Sequence, residues 1–276
     1  MFAILLIIIN IIISCLGIYF YDYRVDEVIN NPLVIILSIL VGTLIMVILF
    51  FLYIDVFYIL VAKRRPQTSK LKHFLAKQVM TVPLVATNTK IKVIGKENLP
   101  KNPGFSIYAN HTSMMDIPVL MYKINKHPVA FLAKEAVGKV FAVGKWTPLL
   151  GCVMIDRSNA RKGAESIINV IKNIKSGSTM VVFPEGTRSS EIGNLIEFKP
   201  GSFKVALKSK APLVPVTIVK PKNFKTVKWP FPKRITLVIH KPIPFEELKK
   251  MTSLDLSLKV KDIIGSSLEG YNSQYE

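Results

Sequence analysis

A histidine and an aspartate stand five positions apart, His111 and Asp116, in the stretch YANHTSMMD from Tyr108 to Asp116. Held together, such a pair has one clear use. The carboxylate fixes the tautomer of the imidazole, and the other ring nitrogen is left to take a proton from a hydroxyl. Residues five apart on one α-helix point about 140° away from each other, so a single helix holding both would keep them apart. The local pattern avoids this. Phe105 to Ala109 reads as a short buried strand, Ser113 is placed to cap a helix, and Pro118 favours an early helical position. The helix therefore starts between them with Asp116 in its first turn, and His111 on the preceding turn folds back onto the carboxylate. The helix dipole alone also favours an aspartate there, with no chemistry implied.

Two further clusters follow predicted strands. In VVFPEGTRSS, the Gly186 hinge with Thr187, Arg188 and Ser189 forms a donor-rich turn beside a guanidinium, a fitting cradle for phosphate. In CVMIDRS, Asp156 and Arg157 come after a short apolar run. Taken singly, Glu185 reads equally as a helix cap, and Asp156 with Arg157 as a surface ion pair. Three strand-end clusters on one sheet instead point to a common cleft. Ser113 sits in no G-x-S-x-G elbow, which argues against a serine nucleophile. The four histidines are scattered without an H-E-x-x-H pattern, and Cys15 and Cys152 lie far apart, so neither a metal site nor a disulfide is expected.

The elements that must position these residues divide the chain near Ala62. Half of the 276 residues are hydrophobic and only 20% are charged, which points to a membrane component. Residues 1–62 hold one basic residue, Arg24, against Asp22, Asp26, Glu27 and Asp55; the remaining 36 basic and 14 acidic residues give residues 63–276 a net charge of +22. Two apolar runs, residues 1–21 and 33–54, each come close to the roughly 20 residues needed to span a bilayer as a helix. The linker between them is acidic, and Lys63-Arg64-Arg65 follows the second run. By the positive-inside rule, residues 63–276 are then cytoplasmic and the protein is integral to the cell membrane. In the basic segment 63–82, Leu71, Phe74, Leu75 and Val79 recur at helical spacing among lysines. This reads either as an amphipathic helix lying on anionic lipid or as a topology signal followed by an ordinary surface helix.

Beyond it, strands are expected at 91–94, 105–109, 128–133, 179–183, 212–219 and 235–240, with helices at 164–174 and 254–264. The alternation defines an α/β fold, one domain with a mixed central sheet flanked by helices behind a two-helix membrane anchor. A basic loop, KPKNFKTVKWPFPKR, spans Lys220 to Arg234. No zinc spacing, stacked aromatic set or recognition helix accompanies the positive charge, so anionic headgroups or an acidic carrier protein explain it and nucleic acid is not expected.

NHTSMMD, MIDR, FPEGTRS and VPV, in this order and with these gaps, resemble the four blocks of the glycerolipid acyltransferase family. The likeness is greatest to its 1-acylglycerol-3-phosphate acyltransferase branch, over about 91–243. The chain departs from the usual pattern at Met114, Met115 and Met154. Lys134 matches a lysine common before the second block, although Ala136 replaces the acidic residue that usually follows it. The resemblance implies His111 as general base and Asp116 as its orienting partner. Arg157, Glu185, Gly186, Thr187, Arg188 and Lys134 would then hold the acceptor. It also implies direct acyl transfer to lysophosphatidic acid from acyl-CoA or acyl-carrier protein as co-substrate, with no cofactor. Glycerol 3-phosphate or another lysophospholipid is the alternative acceptor, and a non-catalytic membrane lipid-binding protein of the same fold is the alternative class. Anionic membrane lipids are the remaining partners expected.

Overall fold

The computed structural model describes residues 2–25, 32–124, 126–139, 144–156 and 160–272. The chain separates into two units, Met1–Arg64 and Arg65–Glu276. The first is a helical hairpin, α1 (Phe2–Val25) and α2 (Pro32–Phe57), ending in one π-helical turn at Tyr58–Ala62. Both helices run past the limits expected from hydropathy, and both are long and apolar enough to cross a membrane. They meet along a seam of small and polar side chains. A Cβ on Gly42 would lie 2.6 Å from Ser14 Oγ and 3.1 Å from the Asn10 carbonyl oxygen, so a larger residue there would force the seam to shift. Asn10 Nδ2 donates to Thr43 Oγ1 at 3.2 Å, and the Ser14 hydroxyl reaches Asn10 Oδ1 and the Ser38 carbonyl, each at 3.3 Å. Outside the seam, Ile4, Ile8, Ile11, Leu37, Leu44 and Ile48 are exposed. In a bilayer, where lipid tails match such side chains, close approach and interhelical hydrogen bonds would carry the pairing.

The second unit is built on seven strands: β1 (Thr89–Ile94), β2 (Ser106–Ala109), β3 (Val129–Lys134), β4 (Val153–Ile155), β5 (Thr179–Val182), β6 (Leu213–Val219) and β7 (Lys233–Ile239), in the order β1-β7-β6-β2-β5-β3-β4. β6, β2, β5, β3 and β4 run parallel, β7 is antiparallel to β6, and β1 is parallel to β7. The sheet is mixed, as expected. The ends of β2 to β6 and the beginnings of β1 and β7 consequently share one edge. β2, β5 and β6 are buried at every position, the burial on both faces that their continuous apolar runs require.

The flanking helices are α3 (Lys70–Ala86), α4 (Asp116–Lys123), α5 (Ala160–Lys175), α6 (Lys204–Ser209), the single turn α7 (Phe245–Leu248) and α8 (Ser253–Asn272). Leu256, Val260, Ile264 and Leu268 fall four apart on α8 and pack with Tyr108, Val182 and Leu213 of the sheet. Val170 and Ile174 of α5 pack with Ala130, Val153 and Met180. The Tyr108 ring stacks on Phe203 at 4.5 Å, and its hydroxyl donates to the Ser202 carbonyl at 2.8 Å.

α3 departs from the expected amphipathic pattern. Leu75 is buried, but Leu71 and Phe74 are exposed while Lys72 and His73 are buried. The polar side chains go inside because acceptors wait for them. Lys72 Nζ donates to the carbonyls of Arg65 and Leu149 at 2.8 and 2.9 Å, and His73 Nε2 donates to the Gln67 carbonyl at 2.7 Å. Burial pushes the His73 pKa down to about 4, so the ring is neutral.

Candidate active site

β2 ends at Ala109, and the chain then peels away from the sheet. Asn110 makes the transition. Its side-chain amide donates to the Ile218 carbonyl at 3.1 Å and accepts from the Ile218 N–H at 2.7 Å, replacing the next backbone rung to β6. Released from the ladder, His111 turns its ring toward α4, and Nδ1 donates to Asp116 Oδ2 at 2.8 Å. Nε2 has no partner among the described residues. The ring stacks on Phe183 at 4.0 Å with its plane tilted by 15°, and its side chain stays 14% exposed.

The helix starts where the sequence predicts, but Ser113 is not its cap. α4 begins at Asp116 after Met115, and the Ser113 hydroxyl accepts from the Met115 N–H. Asp116 itself reaches back, its Oδ2 accepting from the backbone N–H groups of Thr112 and Ser113 at 2.9 and 3.0 Å. A charged side chain with two oxygens satisfies more of the orphaned donors of this turn than a serine hydroxyl can.

Asp116 Oδ1 accepts from Lys220 Nζ, which also donates to Thr112 Oγ1. Both side chains of this ion pair are fully buried. Burial opposes the charged carboxylate, but the His111 hydrogen bond and the Lys220 charge outweigh it and hold the Asp116 pKa below its usual value. Burial lowers the Lys220 pKa while Asp116 pushes it back up, and the net direction is down. Lys220 was missed in the sequence, where it reads as the first residue of a solvated basic loop. The usable signal is its position directly after the seven-residue apolar run of β6, a strand end on the same edge as His111.

Glu185 is also buried, just beyond β5. Its Oε1 accepts from the His111 backbone N–H at 2.7 Å, and its Oε2 from the Ile196 N–H at 3.3 Å. Burial raises its pKa to about 7 against the pull of those two bonds. In the same turn, the Ser189 N–H donates to the His111 carbonyl at 2.8 Å. Both backbone groups of His111 are therefore held by the segment after β5. Gly186 turns that segment with φ +75°, and a Cβ on it would press on the Lys199 side chain at 3.1 Å. Thr187 and Arg188 follow, both exposed.

Lys134 and Asp156 stand apart from this cluster. Lys134 is exposed at the end of β3, in register with Ile155 of β4. β5 lies between it and the strand that carries His111. Asp156 follows β4 and faces Lys162 at 3.7 Å, while Arg157 lies outside the described residues.

The fold and the site together define an acyltransferase class of enzyme, and comparison with known proteins agrees. The Acyltransferase family profile matches residues 90–219. Proteins described as 1-acyl-sn-glycerol-3-phosphate acyltransferases are 28% identical in Borreliella burgdorferi, 32% in Saccharomyces cerevisiae and 32% in Bacillus subtilis. The three alignments cover 72%, 66% and 55% of this chain, and 80%, 61% and 73% of the respective relatives. The crystal structure of the 1-acyl-sn-glycerophosphate (LPA) acyltransferase PlsC from Thermotoga maritima matches with a TM-score of 0.62 at 25% identity, over 83% of this chain and 95% of that one. The chain belongs to the acyltransferase family of these relatives, and it is an enzyme that transfers acyl groups.

Proposed function

We propose that the protein transfers a fatty acyl group from a thioester, acyl-CoA or acyl-carrier protein, to the sn-2 hydroxyl of 1-acylglycerol 3-phosphate, yielding phosphatidic acid. The observation that carries this reading is the 2.8 Å bond from His111 Nδ1 to Asp116 Oδ2, which leaves Nε2 without a partner among the described residues. Nε2 takes the proton of the acceptor hydroxyl as its oxygen adds to the thioester carbonyl. The tetrahedral adduct then expels the thiolate, which recovers that proton from Nε2. The C–S bond breaks, the C–O bond forms, and the enzyme returns to its starting state. Asp116 stabilises the transient imidazolium, and Lys220 keeps Asp116 ionised throughout. No cofactor is required beyond the thioester.

Arg188 and the donors of its turn receive the acceptor's phosphate, with Thr187 beside it. Glu185 fixes the backbone of His111. The hairpin α1–α2 anchors the enzyme in the cell membrane as an integral protein, with residues 63–276 on the cytoplasmic side by the positive-inside argument.

The test is acyl transfer by the full chain in reconstituted membranes, offering each thioester against a panel of lysolipids and glycerol 3-phosphate, with His111→Ala alongside. Transfer to lysophosphatidic acid that depends on His111 is expected. Exclusive use of glycerol 3-phosphate would reassign the acceptor, and transfer unaffected by His111→Ala would end the mechanism.

A further inference from the structure

Beyond Lys220, the connection from β6 into β7 has no part in the chemistry above. Between Lys222 and Arg234 it carries five basic residues and no acidic one, together with Phe224, Trp229 and Phe231. It leaves the sheet at the edge where His111 lies, immediately after Lys220. Three fastenings hold it. Phe224 is buried, with the ammonium groups of Lys220 and Lys233 over its ring at 5.3 and 5.2 Å. Lys225 Nζ donates to the Ser190 carbonyl, next to the Arg188 turn, and Asn88 Nδ2 donates to the Pro230 carbonyl at 2.8 Å. On this braced base, Trp229 is 75% exposed and Phe231 70%. No other large hydrophobic side chain among the described residues is held so far into solvent.

Holding an indole and a phenyl ring out in water is unfavourable unless something apolar receives them. The surrounding charge says what. An indole and a phenyl ring among lysines match the headgroup level of an anionic bilayer, where rings enter the acyl boundary and ammonium groups meet lipid phosphates. An acidic carrier protein would satisfy the lysines but offers its hydrated carboxylates nothing to place against two rings. Met114, three residues after His111, is also exposed at this edge.

We propose that the Lys222–Arg234 loop inserts Trp229 and Phe231 into the headgroup region of an anionic membrane and so holds the active-site edge against the bilayer. A lysolipid then reaches His111 without leaving the membrane. The inference rests on the reading of the protein as a membrane-bound enzyme, but its test does not need turnover.

The full chain is reconstituted into phosphatidylcholine–phosphatidylglycerol vesicles with lipids brominated on their acyl chains, and tryptophan emission is compared between the parent and Trp229→Phe. Trp146 is buried and supplies the baseline. Bromolipid quenching in the parent that disappears in Trp229→Phe is expected. Equal quenching in both proteins, with Trp229 open to aqueous iodide, overturns the proposal. So does protection of Trp229 from iodide by an acidic carrier protein and not by lipid.

The second arm measures Trp229→Ser/Phe231→Ser on a long-chain lysophosphatidate in vesicles and on a short-chain, water-soluble one. A loss confined to the first is expected, and an equal loss on both overturns the proposal. A parent that is quenched but transfers no acyl group would leave the insertion standing and remove the proposed reaction.

Discussion

Lys220 Nζ donates to Asp116 Oδ1 with both side chains shut off from solvent, so the carboxylate that orients His111 is itself paired with a buried cation. Replacing Lys220 leaves Asp116 buried with its His111, Thr112 and Ser113 bonds but without its cation, and loss of one partner costs about 3–5 kcal/mol in comparable buried pairs. Lys220→Met is therefore expected to lower the melting temperature of the detergent-solubilised protein at pH 7 and to cut turnover. The pH dependence follows from the sign of the shift. Asp116 has a lowered native pKa, so its contribution to stability is present above the ordinary carboxylate value and is lost as pH falls through the native one. Without the ammonium the shift shrinks, and melting becomes less steeply dependent on pH at the acid end. A variant that melts and turns over like the parent would mean that the pair does no mechanical work.

His111→Ala removes the base and leaves the fold, because both backbone groups of residue 111 keep their partners in the segment after β5. A positioned general base contributes about 10²- to 10⁴-fold. A loss of that size in kcat, with unchanged melting, is the expected outcome.

Glu185 gives a pH signature of opposite sign to that of Asp116. Burial raises its native pKa to about 7, above the ordinary value of 4.5, so the folded state holds its proton longer than the unfolded state. Stability from this group is full below about pH 4.5 and declines as pH rises to about 7. Glu185→Gln should flatten that decline, because its amide has no proton to lose and its oxygen can still accept the His111 N–H. Melting curves of both proteins between these limits decide it, and parallel slopes would contradict the assignment.

Arg188 is exposed, and the proposed function gives it the acceptor's phosphate. A hydrogen bond to a charged group is worth about 1.5–3 kcal/mol, so Arg188→Ala should raise KM for the phosphorylated acceptor by roughly 10- to 100-fold. KM for the thioester should stay near the parent value. The reverse pattern would move Arg188 to the donor side of the cleft.

Much of this site is legible before any coordinates, because its parts obey local rules. A strand that ends, a histidine on the turn and an aspartate opening the next helix place His111 and Asp116 within reach of each other. Glycine at position 186 signals the turn that brings Arg188 to the same edge. Lys220 escapes such reading because its partner is 104 residues away, and nothing local separates a buried lysine from a solvated one. α3 misleads for a related reason: acceptors at Arg65 and Leu149 draw Lys72 inward, and tertiary demand overrides the periodicity of Leu71 and Phe74. The hairpin seam at Gly42 and Ser14 is equally hidden, since hydropathy reports that a segment is apolar and not which of its faces meets a neighbour.

Asn110 has a consequence for how the enzyme idles. By clasping both polar atoms of the Ile218 backbone, it welds the stretch that bears the histidine to the strand that delivers the lysine. The His111 ring that the proposed mechanism uses as base is thus held in place by the resting fold. An apolar residue at position 110 would leave the Ile218 N–H and carbonyl without these partners and loosen the turn that carries His111.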